Sequence, residues 1–294
     1  MVALEWVEER LGIQLTAERQ EAIRQACRYR MLVITGGSGV GKSTLVHNIP
    51  EIFSAKGLKC VLAAPTGRAT RWLAETTARS AKTVHRLLEF DPASGAFKRN
   101  QQHSLNGDLF VLDETSMVDV VLGHQELRAI AEGACVILVG DVDQLPSVGP
   151  GSVLADLIAS GVVPVVRLTE IFRQASQSPL VTAAYATNQG RMPDLPASGE
   201  LTDFYFVECD EPEAIKEMDV WLHAQHYLML QRNLLYPAVT RGRKLMVIVG
   251  TRKALAMAFR RTDTGRRYMA LSGGQLSGGC VSISSKTGQG PPDN

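Results

Sequence analysis

A chain of 294 residues in which 45% are hydrophobic can bury a real core and is long enough for two compact domains. Its longest apolar runs, such as residues 31–35 and 60–65, have the length of strands and fall far short of the roughly 18 residues that a membrane-spanning helix needs. The net charge of +1 gives the chain as a whole no basic excess of the kind that usually accompanies binding to a phosphate backbone.

The N-terminus and the cysteines indicate the compartment. The first 15 residues carry acidic side chains where a signal peptide has a basic and then an apolar run, so the sequence predicts no secretion. The cysteines are odd in number, widely spaced and without a CxxC pair, which argues against both a disulfide framework and a zinc site: Cys27, Cys60, Cys135, Cys209 and Cys280. We therefore predict a cytoplasmic protein with reduced thiols.

In chain order, the first half alternates short β-rich apolar runs with helical patterns. The sequence predicts strands at 31–35, 60–64, 109–113, 135–140 and 163–168, and helices from about 41 and over 68–78, 119–131 and 152–159. This alternation is typical of βα units around a parallel sheet. The first half is therefore predicted to be one α/β domain.

Beyond residue 174 the same rhythm becomes sparse. The pattern predicts helices at 179–189, 212–236 and 253–261, but strands only near 204–207 and 245–250. Residues 232–267 contain ten Lys or Arg residues and one acidic residue. Charge alone does not distinguish a solvated helix face from a nucleic-acid contact. From residue 269 the sequence is rich in Gly and Ser, which predicts a disordered tail.

Residues 36–43 read GGSGVGKS and match the pattern GxxxxGK[ST] between a predicted strand and a predicted helix. Glycines let successive backbone N–H groups point at a β-phosphate, and the helix N-terminus favours an anion. Lys42 would supply a cation to the β- and γ-phosphate oxygens, and the Ser43 hydroxyl would hold Mg²⁺. The ATP-contacting residues predicted in this P-loop are Gly37, Gly39, Gly41, Lys42, Ser43 and Thr44.

A P-loop that hydrolyses ATP also needs a carboxylate for the metal and a group that activates water. Asp113 and Glu114 follow the predicted strand at 109–113, so Asp113 is the candidate Mg²⁺ ligand and Glu114 the candidate general base. A third segment, GDVDQLP at 140–146, again follows a strand. Its neutral Gln144 can hydrogen-bond a γ-phosphate or a water and is a candidate sensor, although the segment alone is equally readable as a plain turn.

Eight segments occur in an order that resembles the motif series of superfamily 1 DNA helicases, specifically the RecD-like (exodeoxyribonuclease V alpha-type) branch. The resemblance runs from about residue 4 to residue 268 and rests on LTAERQEAI (15–23), GGSGVGKST (36–44), APTGRAT (64–70), TVHRLL (83–88), VLDETSMVD (111–119), GDVDQLPSVGPG (140–151), LTEIFRQ (168–174) and LLYPAVTRGRKLMVIVG (234–250). It implies a P-loop NTPase with a RecA-like parallel-sheet domain at 1–166, a reduced second RecA-like domain at 167–268 and a tail at 269–294. It also implies a role in DNA repair or recombination.

The resemblance assigns further roles by position. Gln20 matches the glutamine that reads adenine, and Gln144 matches the residue that couples the γ-phosphate to DNA movement. Arg173 and Arg241 match two arginines that reach the γ-phosphate from the second domain, where a planar cation stabilises transition-state charge. A further set falls in segments that lie along single-stranded DNA in such helicases: Pro65, Thr66, Gly67, Arg68, Thr83 and His85. Taken alone, His85 is more often a packed or surface histidine than a contact.

Several departures from the helicase pattern bear on function. Ser38, Val40 and Ser43 replace a proline and threonines of the usual P-loop, and Pro237 precedes the AVTR segment, where it can kink or start a helix and displace Arg241. Nothing between about 218 and 223 resembles the family's further strands, its small β-barrel insertion or its TVHKSQG-like DNA-gripping segment. The family's usual N-terminal domain is also not recognised, so we expect a shortened relative.

These motifs are compatible with two candidate functions of different class, and a third candidate does not explain all of them. The first is an ATP-driven, Mg²⁺-dependent, 5′-to-3′ helicase or translocase on single-stranded DNA, without base-sequence specificity because its contacts would be to backbone and base faces. The second is an ATP-binding module without motor activity, dependent on a protein partner for the missing surface. A small-molecule kinase shares the P-loop but does not account for GDVDQLP, FRQ or AVTR.

Overall fold

The computed structural model describes residues 8–9, 14–171, 177–195, 201–209, 220–222, 230–240, 242 and 245–261. In chain order its strands are β1 (Met31–Gly36), β2 (Cys60–Ala64), β3 (Ala81–Thr83), β4 (Phe90–Asp91), β5 (Ala96–Phe97), β6 (Leu109–Leu112), β7 (Cys135–Gly140), β8 (Val165–Leu168), β9 (Phe204–Glu208), β10 (Val220–Leu222) and β11 (Met246–Gly250). Its helices are α1 (Ala17–Arg28), α2 (Lys42–Ala55), α3 (Gly67–Thr77), α4 (Val84–Leu87), α5 (Val120–Ala129), α6 (Val153–Ser160), α7 (Pro179–Asn188), α8 (Arg232–Thr240) and α9 (Arg252–Arg260).

Six strands form one parallel sheet in the order β3-β2-β6-β7-β1-β8. Because every pair in this sheet is parallel, the carboxyl ends of all six strands lie at one edge. β1 lies between β7 and β8, and the segments that follow these strands therefore meet at the point where the P-loop begins. The α/β fold predicted from the alternating pattern is confirmed, and within this sheet β3 is the strand that the pattern missed.

The sheet is covered on both faces by apolar side chains. On β1, Leu32 and Ile34 pack into one core cluster with Leu45 of α2, while Val33 packs into the cluster on the opposite face with Phe110 of β6. This division follows from the period of two along a strand, which sends successive side chains to opposite faces. Burial on both faces explains why these strands are continuous apolar runs in the sequence.

A second, three-stranded parallel sheet has the order β10-β11-β9 and packs with α7, α8 and α9 around its own core. The expectation of a single helix over 212–236 was wrong, because β10 lies within that span and α8 begins only at Arg232. The triplet at 220–222 pairs with β11 in register, and three residues are too few to give a strand pattern in the sequence. The strand β8 ends at Leu168, and the domain boundary at 166 stays a prediction.

Glu126 of α5 is a buried carboxylate, 2% exposed, on the face of the sheet away from the P-loop helix. It lies beside a small cavity whose lining is otherwise largely apolar, with Leu112, Leu138 and Leu154. Its Oε1 has no hydrogen-bond partner among the described residues. Burial raises the pKa of Glu126 from 4.5 to about 8, because the charged form loses its hydration.

This raised pKa makes stability depend on pH with a definite sign. The folded protein retains a proton on Glu126 that the unfolded chain releases above its pKa of 4.5, so this stabilisation is complete below that pH and is lost as the pH rises through about 8. The free energy of unfolding of Glu126→Gln, relative to that of wild type, should increase as the pH rises. We expect this difference to grow by roughly 1 to 4 kcal/mol from about pH 5 to about pH 9. Urea unfolding at the two pH values measures this difference. Glu132→Gln, at an exposed position beyond the same helix, is the control, and equal pH profiles for wild type and Glu126→Gln would contradict the prediction.

Candidate nucleotide-binding site

The P-loop connects the carboxyl end of β1 to the first turn of α2. Gly39 and Gly41 have φ angles of 77° and 91°, a conformation that side chains disfavour. Gly41 is the N-cap of α2 and provides no side-chain hydrogen bond, so the first amides of this helix are not occupied by a capping side chain. Ser43 and Thr44 lie half-buried in the same turn. The loop thus has the backbone geometry that an anion-binding helix start requires.

Lys42 lies across the loop that precedes it. Its Nζ donates hydrogen bonds to the carbonyl oxygens of Gly36 at 2.6 Å and Gly37 at 2.7 Å. The ammonium group is therefore held within the loop where phosphates would lie, and a nucleotide would exchange these carbonyl partners for phosphate oxygens. The phosphate-binding role of Lys42 stays a prediction.

The acid pair lies at the end of β6, two strands from β1 in the sheet. Asp113 is 6% exposed, and its Oδ1 accepts a hydrogen bond from the Glu114 amide at 2.9 Å. Burial and, to a smaller extent, the charge of Glu114 raise the pKa of Asp113 to about 6, although the Glu114 amide and the charge of Lys42 act in the opposite direction. A buried carboxylate beside another acid is stabilised by a cation, so Asp113 and the Ser43 hydroxyl fit the oxygen ligands that Mg²⁺ prefers.

Glu114 adopts a left-handed backbone conformation with φ 56° and ψ 37°. A non-glycine residue in this region carries backbone strain, which persists only where the surrounding structure imposes it. The conformation turns the chain sharply after β6 into the short helix Thr115–Met117. Glu114 is half-buried at the end of β6, and its role as general base stays a prediction.

The segment after β7 forms a hydrogen-bond network with the second domain. Gln144 donates from Nε2 to Oδ2 of Asp141 at 3.2 Å, and the Tyr236 hydroxyl donates to the same oxygen at 2.7 Å. The Tyr236 hydroxyl also accepts a hydrogen bond from the Ser38 amide of the P-loop at 3.1 Å. Gln144 is thus linked to the P-loop through Asp141 and Tyr236, two residues that the sequence analysis did not select.

Gln20 and its neighbour Arg19 point to different partners. Gln20 donates to Glu8 at 3.2 Å and to the carbonyl of Leu15 at 3.3 Å. Arg19 is 2% exposed and donates to the carbonyl of Val40 in the P-loop at 2.9 Å. Successive helical residues point about 100° apart, so only one of the two can face the loop. The adenine-reading role of Gln20 stays a prediction, and Arg19 is the residue of this pair that supports the loop.

The candidate DNA-contacting residues lie at the same sheet edge. Ala64, just before Pro65, pairs with Thr83 across β2 and β3, which brings the two segments together. The hydroxyls of Thr66 and Thr83 cap α3 and α4 by accepting from backbone amides at 3.2 and 3.3 Å. Gly67 and Arg68 are exposed at the start of α3.

His85 is exposed and belongs to a group of three rings. Its ring centroid lies 5.7 Å from that of Phe90 and 5.8 Å from that of Phe97 in the β4-β5 hairpin. The rings of His85 and Phe90 are exposed, and exposed rings can stack on bases. Arg173 and Arg241, by contrast, lie outside the described residues, as do Cys280 and the predicted tail.

The structure also bears on the cysteines, on metal-ligand clusters and on membrane-spanning helices. Cys27, Cys60, Cys135 and Cys209 are free thiols. Among the described residues, no group of three His, Cys, Asp or Glu side chains is arranged to hold a metal. No helix in the described part of the chain combines the length and apolar character needed to cross a bilayer.

Comparison with known proteins places this site in a family context. Residues 19–150 match the AAA domain family. The chain is 40% identical over 179 residues to the ATP-dependent RecD2 DNA helicase of Deinococcus radiodurans, which covers 61% of this chain and 24% of the relative. It is 37% identical over 164 residues to the RecBCD enzyme subunit RecD of Mycobacterium tuberculosis, covering 48% of this chain and 28% of that protein. The resemblance to RecD-like helicases is confirmed.

The matches cover part of each relative. The chain spans about a quarter of the length of the RecD relatives it matches. A crystal structure of the Pif1 helicase from Candida albicans superposes with a TM-score of 0.47 at 21% identity, covering 66% of this chain and 51% of the Pif1 chain. The confirmed resemblance therefore rests on the sequence matches, and the match to the AAA domain at 19–150 includes the P-loop and the Asp113–Glu114 pair.

Proposed function

We propose that this chain binds ATP with Mg²⁺ and hydrolyses it as part of a RecD-like DNA motor that moves 5′ to 3′ along single-stranded DNA. The observation that carries the proposal is the convergence, at one sheet edge, of an uncapped P-loop helix, Lys42 and the pair Asp113 and Glu114. This combination supplies phosphate binding, a metal ligand and a base, which are the parts that ATP hydrolysis needs.

In the proposed reaction, Lys42 and the P-loop amides hold the β- and γ-phosphates, while Ser43 and Asp113 hold the Mg²⁺. The ion neutralises charge on the phosphate oxygens when bound. Glu114 accepts a proton from the water that attacks the γ-phosphate, and Gln144 orients that water or the γ-phosphate oxygens. Arg173 and Arg241 are proposed to stabilise transition-state charge from the second domain.

Single-stranded DNA is the proposed track because the candidate contacts are of a kind that does not read sequence. Thr66, Gly67 and Arg68 present hydroxyl, amide and guanidinium groups at the end of β2, and His85 adds an exposed ring. Such groups bind phosphates and stack on bases irrespective of their identity. The alternative is an ATP-binding module that needs a protein partner for DNA movement, and Glu114 argues against it because a pure binding module has no use for a base.

The test is steady-state ATP hydrolysis with and without a single-stranded oligothymidine, and with a blunt duplex of equal length. We expect turnover without DNA, a higher rate with the single strand and a smaller effect of the duplex. Arg68→Ala should weaken the DNA dependence and lower the slope of log affinity against log salt by about 0.7, the value for one lost phosphate contact on a single strand. Arg128→Ala, at the end of α5 remote from this edge, is the matched control.

Each outcome assigns the chain to one function. ATP binding without turnover under any condition would favour the binding module and contradict hydrolysis. An equal rate of ATP hydrolysis with and without single-stranded DNA would contradict the motor, and the chain would then be an ATPase that does not respond to DNA. Equal salt slopes for Arg68→Ala and wild type would remove Arg68 from the proposed DNA path.

A further inference from the structure

Arg19 on α1 is buried against the P-loop. Its side chain is 2% exposed, and its Nη2 donates to the carbonyl oxygen of Val40 at 2.9 Å. A Cβ atom added to Gly41 would lie 2.6 Å from the Arg19 Nε and 3.0 Å from its Cζ, so the guanidinium packs directly against the Cα of this glycine. The loop and the arginine therefore fit each other closely at the last peptide before α2.

The contact with Val40 fixes the direction of this peptide. Among the described residues no peptide bond is cis, and in a planar trans peptide the carbonyl and the following N–H point in opposite directions. Because the Val40 carbonyl points at Arg19, the Gly41 N–H points away from it. Gly41 is the N-cap of α2, where the amides of the loop and of the first helical turn face an anion. A half-turn of this peptide would exchange the two groups and bring a carbonyl oxygen to the anion.

The first turn of α1 also holds the segment that follows β8, which pairs with β1 directly before the P-loop. The Glu18 carboxylate accepts hydrogen bonds from the Thr169 amide at 2.8 Å and the Glu170 amide at 3.3 Å, and Arg19 donates to the Glu170 carbonyl at 3.4 Å. Burial lowers the pKa of Arg19, but the charges of Glu170 and Glu18 oppose this shift, so the guanidinium stays charged. Arg19 is thus fixed between two backbone carbonyls.

This arrangement separates Arg19 from a direct role in binding a ligand. A guanidinium has only donors, and a buried charge is stable only while it is hydrogen-bonded. Movement of Arg19 towards a phosphate would leave the carbonyls of Val40 and Glu170 without this donor. The geometry favours an action through the loop.

We propose that Arg19 is a positioning residue of the phosphate site, which holds the Val40–Gly41 peptide in the orientation that presents the Gly41 N–H to the phosphates of ATP. The inference rests on the proposed ATP-binding function and adds the side chain that preorganises the P-loop for it. Without the Arg19 donor, the loop also samples the opposite peptide orientation. The apparent affinity for any polyphosphate then falls in proportion to the fraction of molecules whose loop is competent to bind.

The test compares Arg19→Met, which removes the donors, with Arg19→Lys, which keeps a cationic donor. Isothermal titration measures the Kd of inorganic tripolyphosphate and of a non-hydrolysable ATP analogue, each with Mg²⁺ and without DNA. We expect Arg19→Met to bind both ligands more weakly by the same factor, about three- to thirtyfold, and Arg19→Lys to stay within about threefold of wild type. The melting temperature of each variant shows that the titrated protein is folded.

Three results would overturn the proposal. A folded Arg19→Met that binds tripolyphosphate as tightly as wild type would leave Arg19 a purely structural role. A loss confined to the ATP analogue would place the effect of Arg19 at the nucleoside and not at the phosphate loop. An Arg19→Lys that binds as weakly as Arg19→Met would show that a donor at this position does not orient the peptide.

Arg28→Met is the matched control. Arg28 is exposed in the last turn of the same helix, where its guanidinium lies 5.4 Å from the centroid of the Tyr29 ring. Its substitution removes the same charge from α1 without touching the P-loop, so both Kd values should equal those of wild type. A wild type that binds neither ligand would contradict the proposed function itself. A wild type that binds both, beside an equally tight Arg19→Met, contradicts only the positioning role.

NMR of the wild-type protein tests the proposal without any substitution, which matters if Arg19→Met does not fold. Tripolyphosphate with Mg²⁺ should shift the Gly41 amide resonance, while the side-chain N–H protons of Arg19 exchange slowly with solvent both with and without the anion. A Gly41 amide that does not shift while other P-loop amides do would overturn the proposal. Side-chain protons of Arg19 that begin to exchange rapidly on binding would overturn it as well.

Discussion

Glu114→Gln is expected to lower ATP turnover by about 10²- to 10⁴-fold, the range attributed to a general acid or base, while ATP binding is retained. Glutamine keeps the shape of the side chain but cannot accept the proton of the attacking water at neutral pH. The change also removes the charge that raises the pKa of Asp113, so this carboxylate, the proposed metal ligand, should become easier to ionise. Single-turnover hydrolysis and a binding titration with the same protein measure the two quantities.

Glu89→Gln is the matched control for this prediction. Glu89 is also a glutamate with a left-handed backbone, at φ 53°, and it pairs with Arg99 at 2.6 Å away from the P-loop. Its substitution tests whether a charge loss at a strained position affects turnover in general. Turnover of Glu114→Gln within a few-fold of wild type, measured without DNA, would exclude Glu114 as the base.

Lys42→Ala is expected to abolish measurable turnover and to weaken ATP binding by about ten- to a hundredfold, because a hydrogen bond from a charged donor contributes about 1.5 to 3 kcal/mol. In the nucleotide-free protein Lys42 stabilises the loop through the carbonyls of Gly36 and Gly37, so its removal also frees two acceptors. Isothermal titration with ATP and Mg²⁺, beside steady-state hydrolysis, measures both effects.

Lys56→Ala is the comparison for Lys42→Ala. Lys56 is exposed at the opposite end of α2 and lies far from the loop along the helix. Its substitution removes the same charge from the same helix without touching the P-loop. Equal losses of binding in both variants would indicate a general electrostatic effect and would contradict a phosphate contact by Lys42.

Much of the candidate site could be predicted because its parts are contiguous in the sequence. A glycine-rich turn between a strand and a helix specifies its own geometry, and an acid pair directly after an apolar strand must lie at the end of that strand. Parallel strands then bring Lys42 and Asp113 to one sheet edge, where the charge of Lys42 acts on the Asp113 carboxyl. The predicted order of strands and helices in the first domain followed from the same local patterns.

Contacts between distant segments could not be predicted in this way. Tyr236 lies 198 residues from Ser38 in the sequence, and no local pattern distinguishes it from any other buried tyrosine. Gln20 and Arg19 are adjacent, so only the rotation of α1 against the P-loop decides that Arg19 contacts Val40. The short strand β10 was missed because pairing with β11, and not its own three residues, defines it.

The sequence by itself determined the α/β class of the first domain, the P-loop, and the acids at the end of β6, because helix and strand periodicity and local turn chemistry act over a few residues. The tertiary structure alone decided that the Tyr236 hydroxyl joins the P-loop to Asp141 and Gln144. The reason is physical: a hydrogen bond between residues far apart in the sequence depends on how their segments pack against each other, and that arrangement is a property of the whole chain.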